Sequence, residues 1–208
     1  EQTLEWSNEG VAGAHRFLRK LWVMVNSHLE EHSITELDTQ RLNDAQKDLR
    51  RKTHETISKV NDDYGRRNTF NTAIAAVMEL LNETGKLTDK EPQSIAVRHE
   101  ALTSAVLLLA PIAPHICHRL WNLLGHSGAV ADADWPTLDE SALVRSSIEM
   151  VVQVNGKVRG KIQVAADAAK EAVEKLALDD SNVQRFTEGA TIRKIIVVPG
   201  RLVNIVAN

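Results

Sequence analysis

Residues 153–161 read Gln-Val-Asn-Gly-Lys-Val-Arg-Gly-Lys, and this stretch decides how the last third of the chain folds. Apolar residues alternate with polar ones on both sides of Asn155-Gly156. An Asn-Gly pair between two alternating runs is typical of a β-hairpin. The stretch also contains Lys157, Arg159 and Lys161 and no acidic residue. It therefore predicts a hairpin with a positively charged surface.

Two registers of this hairpin are open. A two-residue Asn-Gly turn sets Val154 opposite Lys157 and mixes apolar and basic side chains on one face, unless Gly160 forms a bulge. A three-residue loop sets Val154 opposite Val158 and leaves the three basic side chains together on the other face. The alternation of the apolar residues favours the three-residue loop.

Positive charge recurs in the next pair of predicted strands. Residues 189–208 contain Arg193, Lys194 and Arg201 and no acid, whereas the helical segment between the strand pairs has six acids and three bases. One explanation without a ligand is that lysines on exposed strands prevent edge-to-edge aggregation. Six bases without a compensating acid exceed that need. Because the bases lie on the strands and most acids lie on the helical segment, the pattern favours a cationic surface that binds a polyanion.

The first 125 residues show the three-and-four spacing of amphipathic helices. Five helices are predicted. The first starts after Ser7 as its N-cap, and the second runs from about Thr39 to Asp63. The third runs from a cap at Asn68 or Thr69 to Gly85, the fourth from Pro92 to Leu109, and the fifth from His115 to Leu124. Their short connections favour an antiparallel bundle. Residues 126–146 are predicted to be a linker strapped on the bundle, with Trp135-Pro136 as its anchor.

From residue 147 the apolar period changes from 3.6 to 2. Two strands, a helical segment over 167–188 with a break near Asp179-Asp180-Ser181, and two more strands around Pro199-Gly200 are predicted. The fold class is therefore α + (α+β). An antiparallel helix bundle (1–125) and a linker (126–146) precede a small α+β domain with ββ-helical-ββ order (147–208).

Composition limits the classes of function. The net charge is −3, with 43% hydrophobic residues. Residues 148–208 carry 9 basic and 7 acidic side chains, and residues 1–147 are net acidic, so any nucleic-acid contact must be local. Cys117 is the only cysteine and excludes an internal disulfide. No apolar run approaches the roughly 20 residues of a membrane helix. The chain starts Glu-Gln-Thr-Leu without a signal peptide, so we expect a piece of a longer, cytoplasmic protein.

Signatures of an enzyme are missing from the sequence. It has no glycine-rich phosphate loop, no GxSxG, no paired-cysteine zinc spacing and no HExxH. His115, Cys117 and His118 form the one cluster that resembles a metal site, but no third ligand is near in sequence. We expect Cys117 to be a core residue, and neither catalysis nor a metal nor a cofactor in this chain.

The predicted bundle carries basic residues whose role is open. Arg50-Arg51-Lys52 lies in the second helix, and Arg66-Arg67 lies at the next junction. Neighbouring acids at helical spacing favour a solvated face of ion pairs, and a phosphate-contacting ridge is the alternative. Aromatic residues are only 4% of the chain and none lies in the basic strands. Recognition of RNA shape and backbone is therefore expected rather than stacking on bases.

Two segments resemble a known family. Residues 151–161, with Arg-Lys-Ile-Ile-Val-Val-Pro-Gly-Arg-Leu-Val-Asn at 193–204, resemble the C-terminal domain of bacterial leucyl-tRNA synthetases, which are class I aminoacyl-tRNA synthetases. Residues 50–81 and the Ala-Pro-Ile-Ala-Pro-His-Ile run at 110–116 are similar to the helical anticodon-binding domain of that family. Together these segments cover most of the chain.

The resemblance implies a parent enzyme that joins leucine to tRNA(Leu) with ATP and Mg²⁺. It also implies that this chain lacks the HIGH and KMSKS motifs and the editing domain, and so docks tRNA without catalysis. The partner would be the backbone and elbow of tRNA(Leu), bound by a monomer. The residues implied by motif position are Asn155, Lys157, Arg159, Lys161, Arg193 and Lys194 in the tail, and Arg51, Arg66 and Arg67 in the bundle.

A second class of function is compatible with the same residues. A helical scaffold with a basic tail can also bind an acidic protein partner. The convergence of the basic side chains on one surface distinguishes an RNA-binding module from a scattered set of charges.

Overall fold

The computed structural model describes residues 7–31, 35–144, 147–166 and 168–208. The chain divides into two compact units, Glu1–Val144 and Arg145–Asn208. Unit 1 is helical and unit 2 contains a small four-stranded sheet. The prediction of a helical part followed by a small part with a sheet is confirmed.

The described residues of unit 1 form five α-helices around one apolar core. Their bounds are α1 Asn8–Glu31, α2 Asp44–Asp62, α3 Phe70–Thr84, α4 Pro92–Leu109 and α5 Pro114–Leu123. Ser7 Oγ accepts the Gly10 N–H, as expected of an N-cap. The core contains Leu21, Ile57, Leu80, Leu108 and Leu120, all 1% exposed or less.

Helix α2 begins five residues later than predicted. Asn43 and Gln46 form a capping box, in which each side chain accepts the backbone N–H of the other residue. This reciprocal pair satisfies two N–H groups that a helix end leaves free. Thr39 is therefore outside the helix.

The buried face of α2 is more polar than its apolar pattern indicates. Arg50 and His54 are both buried, while Ala45 is exposed. Arg50 Nη2 donates to Asp139 Oδ2 at 2.6 Å, and its Nε lies 3.3 Å from Glu100 Oε2. His54 Nδ1 accepts the Asp139 N–H, which leaves Nε2 as the donor to Glu100. These contacts fasten the segment that starts at Asp139 to α2 and α4.

The segment between α5 and the end of unit 1 lies on the helices. It forms short 3-10 turns at Val130–Asp132 and Glu140–Leu143. Trp135 donates its indole N–H to Asn61 Oδ1, and its ring lies 6.0 Å from that of Tyr64. Hydrogen bonds from Ser141 and Arg50 hold the pKa of Asp139 well below its usual value. The predicted anchor at Trp135 is thus joined by a second, ionic anchor at Asp139.

Unit 2 is a four-stranded mixed sheet with two helices on one face. Its elements are β1 Ser147–Val154, β2 Lys157–Ala165, α6 Lys170–Asp179, α7 Ser181–Thr187, β3 Ile192–Val198 and β4 Leu202–Ala207. The strand order is β2-β1-β4-β3, with β1 and β4 parallel. Val152, Val203 and Ile205 form the core with Ala177 and Val183 of the helices.

The three-residue loop expected for the hairpin is wrong. Val154 pairs with Lys157, so Asn155 and Gly156 alone form the turn, with φ of 50° and 78°. Positive φ at both positions is the geometry that the Asn-Gly pair favours in hairpins. Gln153 pairs with Val158 and Val152 with Gly160, so Arg159 is the extra residue of a bulge. The bulge restores the apolar alternation that had favoured the longer loop.

Gly160 lies directly under the start of α7. A Cβ placed on it would lie 2.7 Å from Asp180 Oδ1 and 3.1 Å from a methyl carbon of Val183. Asp180 cannot easily move away, because the same carboxylate oxygen caps α7 by accepting the N–H groups of Asn182 and Val183. The absence of a side chain at Gly160 therefore allows α7 to pack on β2.

We expect Gly160→Ala to lower the free energy of unfolding of unit 2 by about 1–3 kcal/mol, the usual cost of overpacking a filled site. Urea unfolding followed by hydrogen exchange of the β1 amides measures it. Gly65→Ala is the matched control, because nothing lies within 4 Å of its added carbon. Equal stability of the two variants would contradict the packing argument.

A row of histidines lies between the helices of unit 1. The ring centroids of His28 and His99 are 5.5 Å apart, those of His99 and His126 6.5 Å apart, and His126 stacks on Trp121 at 3.8 Å. Burial, and secondarily the neighbouring His126, lowers the pKa of His99. Burial also lowers the pKa of His126. Both rings therefore bind a proton less readily in the folded state than an ordinary histidine does.

Acid is expected to destabilise unit 1 because the unfolded chain binds these protons first. Histidine in an unfolded chain titrates near 6.5. The stabilisation is complete above about pH 6.5 and is lost as the pH falls toward the lowered pKa values of the fold. Urea unfolding across this range should give a shallower pH dependence for His99→Gln than for His15→Gln, whose side chain is exposed on α1. Identical slopes would contradict the prediction.

Candidate nucleic-acid interface

Four of the predicted basic residues lie at one end of the sheet of unit 2. Lys157 of β2 pairs with Val154 of β1, which pairs with Ile205 of β4, which pairs with Ile195 of β3. These four residues form one row across the sheet. Lys194 is one residue beyond that row, and Arg193 lies in a bulge beside it. We call this end, with Lys157, Arg159, Arg193 and Lys194, the turn end. The two pairs lie on opposite edge strands, about 14 Å apart at the usual strand spacing.

The cations of the turn end are available to a ligand. Lys157, Arg193 and Lys194 are exposed. None of the four forms an ion pair within the part of the chain that the structure describes. The Arg159 guanidinium lies 3.8 Å from the centroid of the Phe186 ring, which holds it against α7. These groups are therefore not neutralised by any carboxylate among the described residues of unit 2.

The pairing of Lys161 differs from the prediction. Lys161 Nζ lies 2.8 Å from Glu149 Oε1 on the neighbouring strand. Lys161 pairs with Val151, three rows from the pair of Lys157 and Val154. On the sheet face without helices, the residue next to Lys157 is Val158, which is 59% exposed. The expectation that Lys157, Arg159 and Lys161 share one face is wrong. The cause is the bulge. Because Arg159 is an extra residue, Lys157 lies opposite Val154 on the helix-covered face and Lys161 lies opposite Val151 on the other face.

Asn155 has a structural task in the described fold. Its Nδ2 donates to Ala207 O at 2.7 Å and its Oδ1 accepts Ala207 N–H at 3.0 Å. The side-chain amide thus extends the parallel pairing of β1 and β4 beyond the end of β1. Gly156 N–H adds a bond to Asn204 Oδ1.

In the bundle, Arg51 is paired on both sides. Its two terminal nitrogens donate to Asp48 and Glu55 at 2.9 Å. The hydrogen bond to Asp48 is the main cause of the raised pKa of Arg51. Lys52 Nζ lies 2.8 Å from Glu79 Oε2 on the neighbouring helix α3. This geometry favours the solvated face of ion pairs for the Arg51 segment.

Arg66 and Arg67 lie on a five-residue π-helical turn, Asp63–Arg67, that ends at the left-handed Asn68. Asp63 is buried and fixes the turn, because its carboxylate accepts from Thr72, Thr69 and Lys59. Both arginines bond through Nε to the one carboxylate of Asp62, at 2.6 Å each. Their side chains are still 74% and 57% exposed.

An aromatic cluster beside this turn is absent from the sequence prediction. The Tyr64 ring lies 5.3 Å from Phe70 and 6.0 Å from Trp135. Phe70 is 50% and Trp135 40% exposed. Trp135 is about seventy residues from Tyr64 in sequence, so no local spacing could indicate the contact.

The cysteine and histidine cluster has no metal-site geometry. Cys117 is fully buried, and burial raises the pKa of its thiol to about 12. His118 Nδ1 accepts the Val130 N–H, and its ring also contacts Asn122. Among the described residues no group of three or more His, Cys, Asp or Glu side chains is arranged to hold a metal. No described helix is long and apolar enough to span a membrane.

Comparison with known families defines the class of protein. The family described as the anticodon-binding domain of tRNA ligase matches residues 46–174, more than half of the chain. The chain belongs to this family. The resemblance of residues 50–81 and 110–116 to such a domain is confirmed.

Individual relatives are leucine–tRNA ligases. The chain is 67% identical over 208 residues to leucine–tRNA ligase of Marinobacter nauticus and 65% identical over 209 residues to that of Cellvibrio japonicus. Both matches cover 100% of this chain and 24% of the relative. The chain thus spans about a quarter of the length of these curated relatives.

A solved structure has the same fold. It is the ternary complex of Agrobacterium radiobacter K84 agnB2 LeuRS with tRNA and LeuAMS. The TM-score is 0.73 at 28% sequence identity, and the match covers 99% of this chain and 26% of that one.

We expect Asn155 to act mainly through the fold. Asn155→Gly keeps the positive φ but loses both bonds to Ala207, and should lower the free energy of unfolding of unit 2 by about 1–3 kcal/mol. Urea unfolding measures this loss. The salt dependence of RNA binding should not change. A weaker salt dependence at unchanged stability would instead assign Asn155 a direct contact.

Proposed function

We propose that this chain is the C-terminal, tRNA-docking portion of a leucyl-tRNA synthetase. The observation that carries the proposal is 67% identity, over the whole of this chain, to about a quarter of a protein named leucine–tRNA ligase. The structural neighbour was solved with tRNA bound, which supports tRNA as the ligand. The parent would attach leucine to tRNA(Leu) with ATP and Mg²⁺ in domains outside this chain.

The proposed contact in unit 2 is the turn end. Its two pairs of cations, Lys157 with Arg159 and Arg193 with Lys194, lie on opposite edge strands whose backbones are about 14 Å apart, and each pair can neutralise phosphate charge at this end of the sheet. Asn155 and Gly156 fix the strand ends between them. Lys161 contributes less in this arrangement, because Glu149 already neutralises it.

The proposed contacts in unit 1 are at the π-helical turn. Arg66 and Arg67 share one carboxylate, so one positive charge is left over. Arg51 has two carboxylate partners and is the weakest phosphate ligand of the three predicted arginines of unit 1. Docking by these surfaces would add affinity and orient the acceptor end toward the catalytic domain of the parent. The chain alone is expected to show no leucine-dependent ATP–pyrophosphate exchange.

The salt dependence of binding tests the turn end. We expect Lys157→Ala/Lys194→Ala to lower the slope of log affinity for tRNA(Leu) against log salt by roughly 0.7–0.9 per lysine. Fluorescence anisotropy at several salt concentrations measures the slope. Lys170→Ala/Lys175→Ala is the matched control, because it removes two lysines from helix α6.

Three outcomes separate the hypotheses. A reduced slope in the first variant alone supports the turn end. Equal slopes in both double variants mean that overall charge, and not this end of the sheet, determines binding. A chain that binds an acidic peptide but no folded tRNA favours the protein-interaction scaffold and contradicts the proposed function.

A further inference from the structure

The strongest unexplained surface of unit 1 combines exposed aromatic rings with arginines. We call it the aromatic–arginine patch, and it consists of Tyr64, Phe70 and Trp135 with Arg66 and Arg67. All five side chains are held around the C-terminal end of α2 by contacts within unit 1.

The rings of the patch are fixed in place although two of them are exposed. Tyr64 donates its hydroxyl to Leu108 O at 3.0 Å, and burial raises its pKa to about 12, so the phenol stays protonated. Trp135 is held by the bond from its indole N–H to Asn61. Rings that are already ordered lose little conformational entropy when a ligand stacks on them. The exposed faces of Phe70 and Trp135 are therefore suited to binding.

An apolar recess opens beside the Trp135 ring. Its volume is about 230 Å³, and Pro111, Pro114 and Val130 line it together with Trp135. No charged side chain lines this recess. A flat, weakly polar group over Trp135 could place one edge there without leaving a charge unsolvated.

The charge beside the rings is positive. Arg66 and Arg67 use Nε to bond Asp62, and within the described residues their terminal amino groups have no hydrogen-bond partner. Lys59 and Asp63 neutralise each other. The turn therefore has a net charge of one positive unit, with guanidinium donors directed at ligands such as phosphate.

We propose that the aromatic–arginine patch binds one unstacked nucleotide of an RNA. Its base would lie on the exposed face of Trp135 or Phe70, and its phosphate would accept hydrogen bonds from Arg66 and Arg67. Aromatic side chains beside basic ones are the usual means of holding an unpaired base. The inference rests on the proposed tRNA-docking function and adds a stacking contact to the backbone contacts of unit 2. Sequence alone favoured backbone recognition only.

Trp135→Ala tests the stacking contact. Binding of tRNA(Leu) by the full chain should weaken roughly 5-fold or more, in line with the loss of one base–aromatic stack. The salt slope should not change, because no phosphate contact is removed. Trp135→Phe should retain most of the affinity, because the phenyl ring still offers a face for stacking although the bond to Asn61 is lost. Arg66→Ala should instead lower the salt slope by roughly 0.7–0.9.

Trp22→Ala is the matched control, since Trp22 lies on α1 and is 37% exposed. Phe70→Ala provides a second variant, at the first residue of α3, in case Trp135→Ala disturbs the fold. A short single-stranded RNA with 2-aminopurine gives a direct signal. Its fluorescence should be quenched by the wild-type chain and by Trp22→Ala, and less by Trp135→Ala.

The failures of the two proposals are distinguishable. Wild-type affinity for tRNA(Leu) in both Trp135→Ala and Phe70→Ala overturns the stacking site and leaves the docking function intact. Absence of tRNA binding by the wild-type chain overturns the docking function and the stacking site together.

Discussion

The side chain of Asn155 and the two-residue turn that contains it determine the surface of unit 2. The amide of Asn155 binds both backbone groups of Ala207 and so ties the hairpin to β4. With Lys157 opposite Val154, the bulge at Arg159 must follow, because the apolar residues of β2 still face the helices. This register places the start of β2 at the same end of the sheet as the end of β4 and the start of β3. Two pairs of cations from distant parts of the sequence therefore lie at the same end of the sheet, on its two edge strands.

Local sequence signals predicted the elements well where the physics is local. The Asp179-Asp180-Ser181 break between α6 and α7 follows from the cap at Asp180, and Gly85 ends α3 as expected. The three-part division at residues 125 and 146 stays a prediction. The hairpin register was wrong because the apolar alternation alone does not distinguish a longer loop from a bulge. Helix α2 begins later than predicted because its start is set by the capping box of Asn43 and Gln46. The apolar pattern gives no information on such a polar contact.

The site was less predictable because it depends on partners far away in sequence. Glu149 neutralises Lys161 from the neighbouring strand. Buried Arg50 pairs with Glu100 of α4 and with Asp139 of the segment after α5. Arg51, by contrast, is paired at helical spacing, as one of the two interpretations predicted. The aromatic cluster needs the segment after α5 to fold back on α2. A sequence reveals the basic residues, but the fold decides which of them are left without a carboxylate.

The most direct test of the account is a lysine footprint on the chain with and without tRNA(Leu). Reductive methylation followed by mass spectrometry reports the reactivity of each lysine. The account predicts that Lys157 and Lys194 are protected by the RNA, whereas Lys170 and Lys175 keep their reactivity. Equal protection of all four, or protection of the α6 lysines alone, would contradict the claim that the turn end contacts the RNA.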